Sequence, residues 1–228
     1  MTERRRRFLM LALLAVVGAC GGDGEQASDR GAPVVRGLGG EVGEPAMGDT
    51  IDLRTIGYSR GSEEAPVKVY EFSDFGCPFC AMFANGTYRE IHEEFVETGL
   101  VRWTFVPFVM GMFPNGAEAA RAAECAGEQD RFWEMHDLLY ETQREWKATG
   151  DAEQFFQAVA SRIPLDAGQF SSCFRDDRAG SRTAVNNRAA AALHVRATPS
   201  FFVNGRLLEG APPPEQFRRV LSIMAGQE

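Results

Sequence analysis

A strand that runs directly into a cysteine-bearing helix is the feature that most constrains the fold of this chain. The segment reads VKVYEFSDFGCPFC over residues 67–80. Its first half is rich in β-branched and aromatic residues, which is typical of a strand buried on both faces. Cys77 then takes the N-cap region of a predicted helix, and Pro78 suits its first turn. The segment therefore predicts a buried strand followed by a helix whose first turn carries Cys77 and Cys80.

The position of the two cysteines favours thiol–disulfide chemistry. The free N–H groups and the macrodipole at a helix N-terminus stabilise a thiolate. Cys77 precedes the helix proper, so we expect it to be the exposed, attacking sulfur. Cys80 lies one turn later on the same side, where it can close a disulfide as the resolving partner.

Two other interpretations of the pair stay open. Half of a zinc site would need a second pair of ligands, yet the chain has no further Cys-x-x-Cys and its three histidines are scattered. Two inert buried thiols are the remaining alternative. The sequence favours redox chemistry, and no metal or organic cofactor is expected.

The N-terminus has the features of an export signal. Four arginines at residues 4–7 precede a short apolar run at 8–17, and VGAC follows at 17–20. The apolar run falls well short of the ~20 residues that span a bilayer, so residues 1–19 are predicted to be a secretory signal peptide. VGAC resembles the lipobox of bacterial lipoproteins, which implies lipidation of Cys20. A plain signal peptide with Cys20 as a chance residue is the alternative, and Sec and twin-arginine export both stay open.

The predicted location is the cell envelope, with the protein anchored through lipid on Cys20. Two or three acyl chains hold a protein stably on a bilayer. An aspartate after the lipidated cysteine would resemble the inner-membrane retention signal of Gram-negative lipoproteins. Gly21 stands there instead, which favours the periplasmic side of the outer membrane if the host is Gram-negative. Residues 20–50 are glycine-rich with little apolar periodicity and are predicted to be a flexible tether; an ordered cap on the domain is the alternative.

The charge of the chain excludes one class of partner. The formal net charge is −8, and removal of the signal segment, with its four arginines and one glutamate, leaves it near −11. An acidic surface repels polyanions, so a nucleic-acid partner is not expected.

The rest of the chain predicts an α/β domain over residues 51–228. A short strand is expected at 51–55. The strand that leads into Cys77, a helix at 77–97 with a kink at 85–86 and a strand at 100–106 together form a βαβ unit. Residues 115–195 change to helical periodicity and predict an insertion of five helices. A hairpin then turns at Asn204 and Gly205, before a terminal helix.

Three motifs in this order of elements carry a resemblance. They are EFSDFGCPFC at 71–80, AAECA at 122–126 followed by FW at 132–133, and ATPSFFVNG at 197–205. The chain resembles the DsbA-like thiol–disulfide oxidoreductases over roughly residues 50–226. The resemblance implies a thioredoxin fold with a helical insertion between the βαβ unit and the C-terminal hairpin and helix.

The resemblance also implies roles for particular residues. Pro199 would be cis and lie beside the active-site disulfide, leaving the backbone of Thr198 free to pair with an unfolded client. Glu71 would be buried near Cys80 and exchange a proton with it, the alternative being a solvated strand residue. Asp74 lies nearer the loop, where an exposed or turn-forming carboxylate without a catalytic role is expected.

The two cysteines of the insertion, Cys125 and Cys173, are implied to form a structural disulfide, because related DsbA-like proteins with this Cys-Ala motif carry one. An oxidising location permits such a bond. Free buried thiols and a second redox pair are the alternatives.

The predicted function is the oxidation of client protein thiols outside the cytoplasm. Pro78 and Phe79 separate the cysteines and are expected, with Thr198 and Pro199, to bind the client. Strongly oxidising family members carry a histidine where Phe79 stands, so a disulfide reductase or isomerase is the alternative. A Cu(I)-binding thiol chaperone and a tethered peptide-binding adaptor are more distant. The expected partners are thiol-containing or unfolded clients and a membrane redox partner, either a quinone-linked oxidant or a thiol donor.

Overall fold

The computed structural model describes residues 34–35, 51–176 and 178–227. The predicted signal segment, the lipidation site Cys20 and nearly all of the predicted tether lie outside the described residues. Strands β1 (Val34–Val35) and β2 (Ile51–Asp52) form a two-residue antiparallel ladder.

A five-stranded mixed sheet forms the centre of the described domain. Its strands are β3 (Tyr58–Arg60), β4 (Val67–Ser73), β5 (Val101–Pro107), β6 (Ser200–Val203) and β7 (Arg206–Glu209). The spatial order is β3-β5-β4-β6-β7, in which β4 and β5 are parallel and the other neighbours antiparallel. The predicted βαβ unit and C-terminal hairpin are both present.

Nine α-helices accompany this sheet in the described part of the chain. They are α1 (Pro78–Asn85), α2 (Thr87–Ile91), α3 (Gly116–Gly127), α4 (Phe132–Glu141), α5 (Gln143–Ala148), α6 (Ala152–Ala160), α7 (Ala167–Arg175), α8 (Arg178–Ala192) and α9 (Pro214–Met224). A π-helical turn, His92–Val96, continues α2. The fold is a thioredoxin fold with a helical insertion, as predicted. The predicted helix from Cys77 is interrupted at Gly86, between α1 and α2 and within the predicted kink.

Three local predictions differ from the structure. The strand expected at 51–55 ends after two residues, because the Asp52 carboxylate accepts the backbone N–H of Arg54 and starts a 3₁₀ turn over Leu53–Thr55. Edge strand β3 was not predicted, since three residues are too few to show a period. Helix α5 was not predicted either, because it follows α4 after the single residue Thr142.

Strand β4 is buried along its length and separates two of the apolar clusters of the core. Val67 and Val69 pack with α1, α2 and α9, whereas Tyr70 and Phe72 pack with α8. Because side chains alternate along a strand, residues 71 and 73 face the same side as Val69. The polar end of β4 is therefore directed towards the helix that carries the Cys-x-x-Cys pair.

Candidate active site

The turn between β4 and α1 is held by Asp74. Its Oδ1 accepts the backbone N–H of Gly76 at 2.8 Å, and its carbonyl accepts the N–H of Cys77 at 3.0 Å. Its Oδ2 accepts the N–H of Met110 from a second loop at 2.8 Å. Asp74 forms a turn, as expected, but the alternative of an exposed carboxylate is wrong: the side chain is buried, and this burial raises its pKa.

Cys77 is the N-cap of α1, and its sulfur accepts the N–H of Cys80 at 3.4 Å. The same sulfur lies 3.4 Å from the carbonyl oxygen of Thr198, to which the thiol can donate. The predicted exposure of Cys77 is wrong, because only 3% of the residue is accessible. The loop with Thr198 lies against the sulfur from 121 positions away, which sequence spacing could not show.

The environment of Cys77 favours the thiolate. The pKa of its thiol is lowered to about 6, chiefly by the side-chain contact with Cys80, and further by Thr198 and by the backbone N–H groups of Phe79 and Cys80. Burial acts in the opposite direction but does not prevail. These N–H groups are the unsatisfied donors of the first turn of α1, as the position of Cys77 before a helix predicted.

Cys80 has the opposite character, although it is only one turn away. The residue has no accessible surface, and burial raises the pKa of its thiol well above the usual value, followed by its contact with Cys77. A contact with the Ser73 hydroxyl acts the other way and lowers it. One thiol of the pair is thus ready to react at neutral pH, while the other holds its proton.

Glu71 lies in the buried interior of the sheet rather than in solvent. Its Oε1 accepts the Ser73 hydroxyl at 2.6 Å, and its Oε2 accepts the indole N–H of Trp103 at 3.0 Å. Burial raises the pKa of this carboxyl to about 7, against the effect of both hydrogen bonds. Its charge in turn raises the pKa of Cys80, so the two groups influence each other electrostatically.

The loop that faces the cysteines contains a cis peptide bond between Thr198 and Pro199. The Thr198 hydroxyl lies 3.5 Å from the sulfur of Met110, on the loop held by Asp74. Around this site the molecule exposes large apolar side chains: 63% of Phe79, 69% of Met82 and 63% of Met112 are accessible. Phe79 and Met82 lie on α1, and Met112 lies on the Met110 loop.

Two residues of the unpredicted helix α5 hold the active-site turn from the insertion side. The Gln143 side-chain amide donates to the carbonyls of Phe75 and Cys77 at 2.6 and 2.9 Å. The Lys147 ammonium donates to the carbonyl of Gly76 at 2.7 Å. These contacts join residues about 70 positions apart in the sequence, and no local signal could have identified them.

The other two cysteines, Cys125 and Cys173, form a disulfide between α3 and α7, with their Cα atoms 5.7 Å apart. Both residues are buried among apolar side chains of the insertion. Within the described ranges no group of three or more His, Cys, Asp or Glu side chains is placed to hold a metal ion. None of the helices in that part of the chain is long and apolar enough to cross a membrane.

Comparison with known proteins adds three findings. The family model described as thioredoxin matches residues 55–222. The probable disulfide bond formation protein D of Bacillus anthracis is 31% identical over 155 residues, which cover 65% of this chain and 70% of that protein. The crystal structure of oxidised BdbD from Bacillus subtilis superposes with a TM-score of 0.67 at 22% identity, covering 74% of this chain and 92% of that one.

A second kind of relative is much longer than this chain. The protein named Na(+)/H(+) antiporter NhaA 1 of Salinispora arenicola is 39% identical over 152 residues, which cover 67% of this chain. The matched segment is only 22% of that relative. The similarity therefore concerns about a fifth of the longer protein, and the name of the whole carries no assignment for the segment.

Proposed function

The chain belongs to the DsbA-like thiol–disulfide oxidoreductases of the thioredoxin superfamily, and we propose that it exchanges disulfides with client proteins through Cys77 and Cys80 and acts as their oxidant. The observation that carries this proposal is the setting of the Cys77 sulfur. It accepts a backbone N–H at the start of α1 and lies 3.4 Å from the Thr198 carbonyl. A thiolate held there can attack a disulfide, and it is also a good leaving group.

In the oxidising direction, a client thiolate attacks the sulfur of Cys77 in the Cys77–Cys80 disulfide. A bond forms between the client sulfur and Cys77, and Cys80 leaves with the electron pair. A second client thiolate then attacks the first client sulfur, so the client gains a disulfide and Cys77 leaves as the thiolate. The low pKa of Cys77, about 6, supports this direction because it stabilises the reduced enzyme.

The proton that Cys80 gains or loses has an acceptor nearby in Glu71. A carboxyl with a pKa near 7 is suited to exchanging protons at neutral pH. Burial keeps the carboxyl and the Cys80 thiol apart from bulk water. We assign Glu71 to proton exchange with Cys80, which carries a high pKa and becomes a thiolate only as it reacts.

Client binding is assigned to the loop at Thr198 and Pro199 and to the exposed apolar side chains beside it. An extended segment of an unfolded client can pair with backbone groups at this edge. The exposed surface of Phe79 and Met82 offers apolar contacts without demanding a particular sequence. Clients are thus expected to be unfolded or thiol-containing proteins.

The proposed location is the cell envelope, where a membrane partner would recycle the cysteine pair. Lipidation at Cys20 would hold the protein at the cell envelope, on the periplasmic side of the outer membrane in a Gram-negative host. Residues 20–50 would act as the tether. A quinone-linked membrane partner would reoxidise the pair, or a membrane thiol donor would reduce it if the reaction runs the other way.

A disulfide reductase or isomerase is the second candidate, and Phe79 is the observation that favours it. This side chain stands between the cysteines and is 63% exposed, but it can neither donate a hydrogen bond nor carry charge to stabilise the Cys77 thiolate. The oxidising bias then depends on the contact of Cys77 with Cys80, on Thr198 and on the helix terminus, without help from residue 79.

The equilibrium redox potential of Cys77–Cys80 in glutathione buffers tests the function and its direction. A value near −120 mV, which is about that of a strong oxidant, would support oxidation of clients. A value near −270 mV, about that of thioredoxin, would reassign the protein to reduction or isomerisation. Exchange with a disulfide-bonded peptide that persisted in Cys77→Ser would refute the role of this site altogether.

A further inference from the structure

The hydroxyl of Ser73 lies between two groups that the proposed function uses. Ser73 ends β4, and its side chain points to the same face as Glu71, two residues earlier. Cys80 reaches this face from the first turn of α1. All three residues are buried: Ser73 and Cys80 have no accessible surface, and 2% of Glu71 is exposed. The serine is therefore enclosed between a carboxyl and a thiol.

The geometry of the serine suits proton transfer. The hydrogen bond from its hydroxyl to Glu71 Oε1 measures 2.6 Å, a length expected when a hydroxyl donates to an ionised carboxylate. A hydroxyl carries one proton and two lone pairs. Once it donates to Glu71, its oxygen can still accept from the thiol of Cys80, to which the serine lies near enough to lower the pKa of that thiol.

Both oxygens of Glu71 are already engaged. Trp103 donates to Oε2 and Ser73 donates to Oε1. The indole N–H of Trp103 is a donor only and cannot pass a proton on. Of the two side chains hydrogen-bonded to the carboxyl, the serine is thus the one that can both give and receive a proton.

We propose that Ser73 relays the proton between Cys80 and Glu71 when Cys80 forms or leaves the active-site disulfide. This inference rests on the proposed function and adds the route by which the buried thiol ionises. It makes Ser73 a catalytic residue, since its hydroxyl would exchange a proton with a reacting sulfur.

A mixed disulfide between Cys77 and a client is resolved by Cys80. The Cys80 thiol gives its proton to the Ser73 oxygen, while the Ser73 hydroxyl proton passes to Oε1 of Glu71. The Cys80 thiolate attacks the Cys77 sulfur, the Cys77–Cys80 bond forms, and the bond from Cys77 to the client breaks. The client leaves as a thiolate with the electron pair, and Glu71 is left neutral.

The same chain of hydrogen bonds also stabilises the Cys80 thiolate when that thiolate leaves the active-site disulfide. With Glu71 protonated, its O–H can donate to the serine oxygen, and the serine O–H can donate to the Cys80 thiolate. This agrees with the effect of Ser73, which lowers the pKa of Cys80.

Stopped-flow reaction of the reduced protein with the disulfide 5,5′-dithiobis(2-nitrobenzoate) separates the two chemical steps. Attack by Cys77 releases a first coloured thiolate, and closure by Cys80 releases a second. The decisive variants are Ser73→Thr, which keeps the hydroxyl, and Ser73→Val, whose side chain has the shape of threonine but lacks the hydroxyl. Thr104→Val, a buried residue on β5 whose hydroxyl bonds Ser59, is the matched control.

We expect Ser73→Val to slow the second release about tenfold or more relative to Ser73→Thr, as loss of a proton-transfer group does, and to leave the first release unchanged. Its solvent deuterium isotope effect on the second release should also change, because two protons no longer move together. Thr104→Val should match the wild type in both phases.

Equal second phases in Ser73→Val and Ser73→Thr, with Glu71→Gln still slow, would overturn the relay and leave the proposed function intact. The absence of any release attributable to Cys77 in the wild type would instead refute the proposed function. Comparison of Thr with Val removes the effect of side-chain size, so a change in packing common to both variants cannot imitate a proton-transfer defect.

Discussion

The two cysteine pairs of this protein lie in the same apolar cluster but have different chemistry. Cys77, Cys80, Cys125 and Cys173 are all buried within it. Cys125 and Cys173 lie inside helices, where backbone N–H groups are already bonded to carbonyls one turn earlier. Cys77 stands at a helix start, where the contact with Cys80, one turn later, and free backbone N–H groups stabilise its thiolate. Burial therefore does not distinguish a reactive thiol from a structural one, whereas the position relative to a helix end does.

The strongest test of this contrast is covalent trapping of a client. In reduced Cys80→Ser, Cys77 can attack a peptide disulfide but nothing resolves the product, so the mixed disulfide should accumulate to near one per protein. Mass spectrometry under non-reducing conditions measures the adduct. The control Cys77→Ser should trap almost no client. An adduct mapped to Cys125 or Cys173 would contradict the assignment of that pair as structural.

Removal of the structural pair should affect stability rather than chemistry. The Cys125–Cys173 disulfide closes a loop across 48 positions, and the chain-entropy model assigns such a loop about 4 kcal/mol of stabilisation. The double variant Cys125→Ala/Cys173→Ala should lose about this much in urea unfolding. Its Cys77–Cys80 potential, measured well below the melting temperature, should equal that of the wild type; a shifted potential would mean that the two pairs are coupled.

Glu71 provides a pH-dependent test of the buried reactive region. Because its pKa rises from 4.5 to about 7 on folding, the stability contributed by its neutral form is complete below pH 4.5 and is lost as the pH rises through 7. Glu71→Gln, measured in the oxidised protein where Cys77 and Cys80 do not titrate, should be more stable than the wild type at pH 8. The gain should be about 3 kcal/mol at most, from the size of the shift.

At pH 4 the same substitution should bring no gain, since the wild-type carboxyl is then neutral. Glu93→Gln, on an exposed position of the π turn, serves as the control and should change little at either pH. A stabilisation of Glu71→Gln that did not depend on pH would show that burial of charge is not its cause.

The smallest expected effect concerns Phe79, one of the two residues between the reactive cysteines. Phe79→His places an imidazole near the Cys77 thiolate, where its N–H can stabilise the negative charge. The pKa of Cys77 should fall below about 6, and the redox potential should rise by about 30 mV for each unit of that fall. Phe79→Leu should leave the redox potential unchanged. An equal rise of the potential in both variants would mean that loss of the phenyl ring, rather than the imidazole, is the cause.

Local sequence determined most of the fold. The apolar run before Cys77, the helical periodicity of residues 115–195 and the Asn204–Gly205 turn are local patterns, and the structure has a strand, helices and a hairpin at these three places. The exceptions are short: β3 has three residues and α5 six, and segments of this length show no reliable period.

The properties of the site depended on distant parts of the chain. The sequence by itself established a Cys-x-x-Cys pair at a helix N-terminus, because caps and helix dipoles are local features. It could not show that Cys77 is enclosed, that Gln143 and Lys147 hold the active-site turn, or that Asp74 joins two loops. Those contacts exist only once the insertion has folded back onto the sheet, since packing and desolvation depend on groups far away in sequence. The helix start already marked Cys77 as the thiol that ionises, whereas tertiary structure decided that Cys80 retains its proton, through the burial of Cys80 and Glu71.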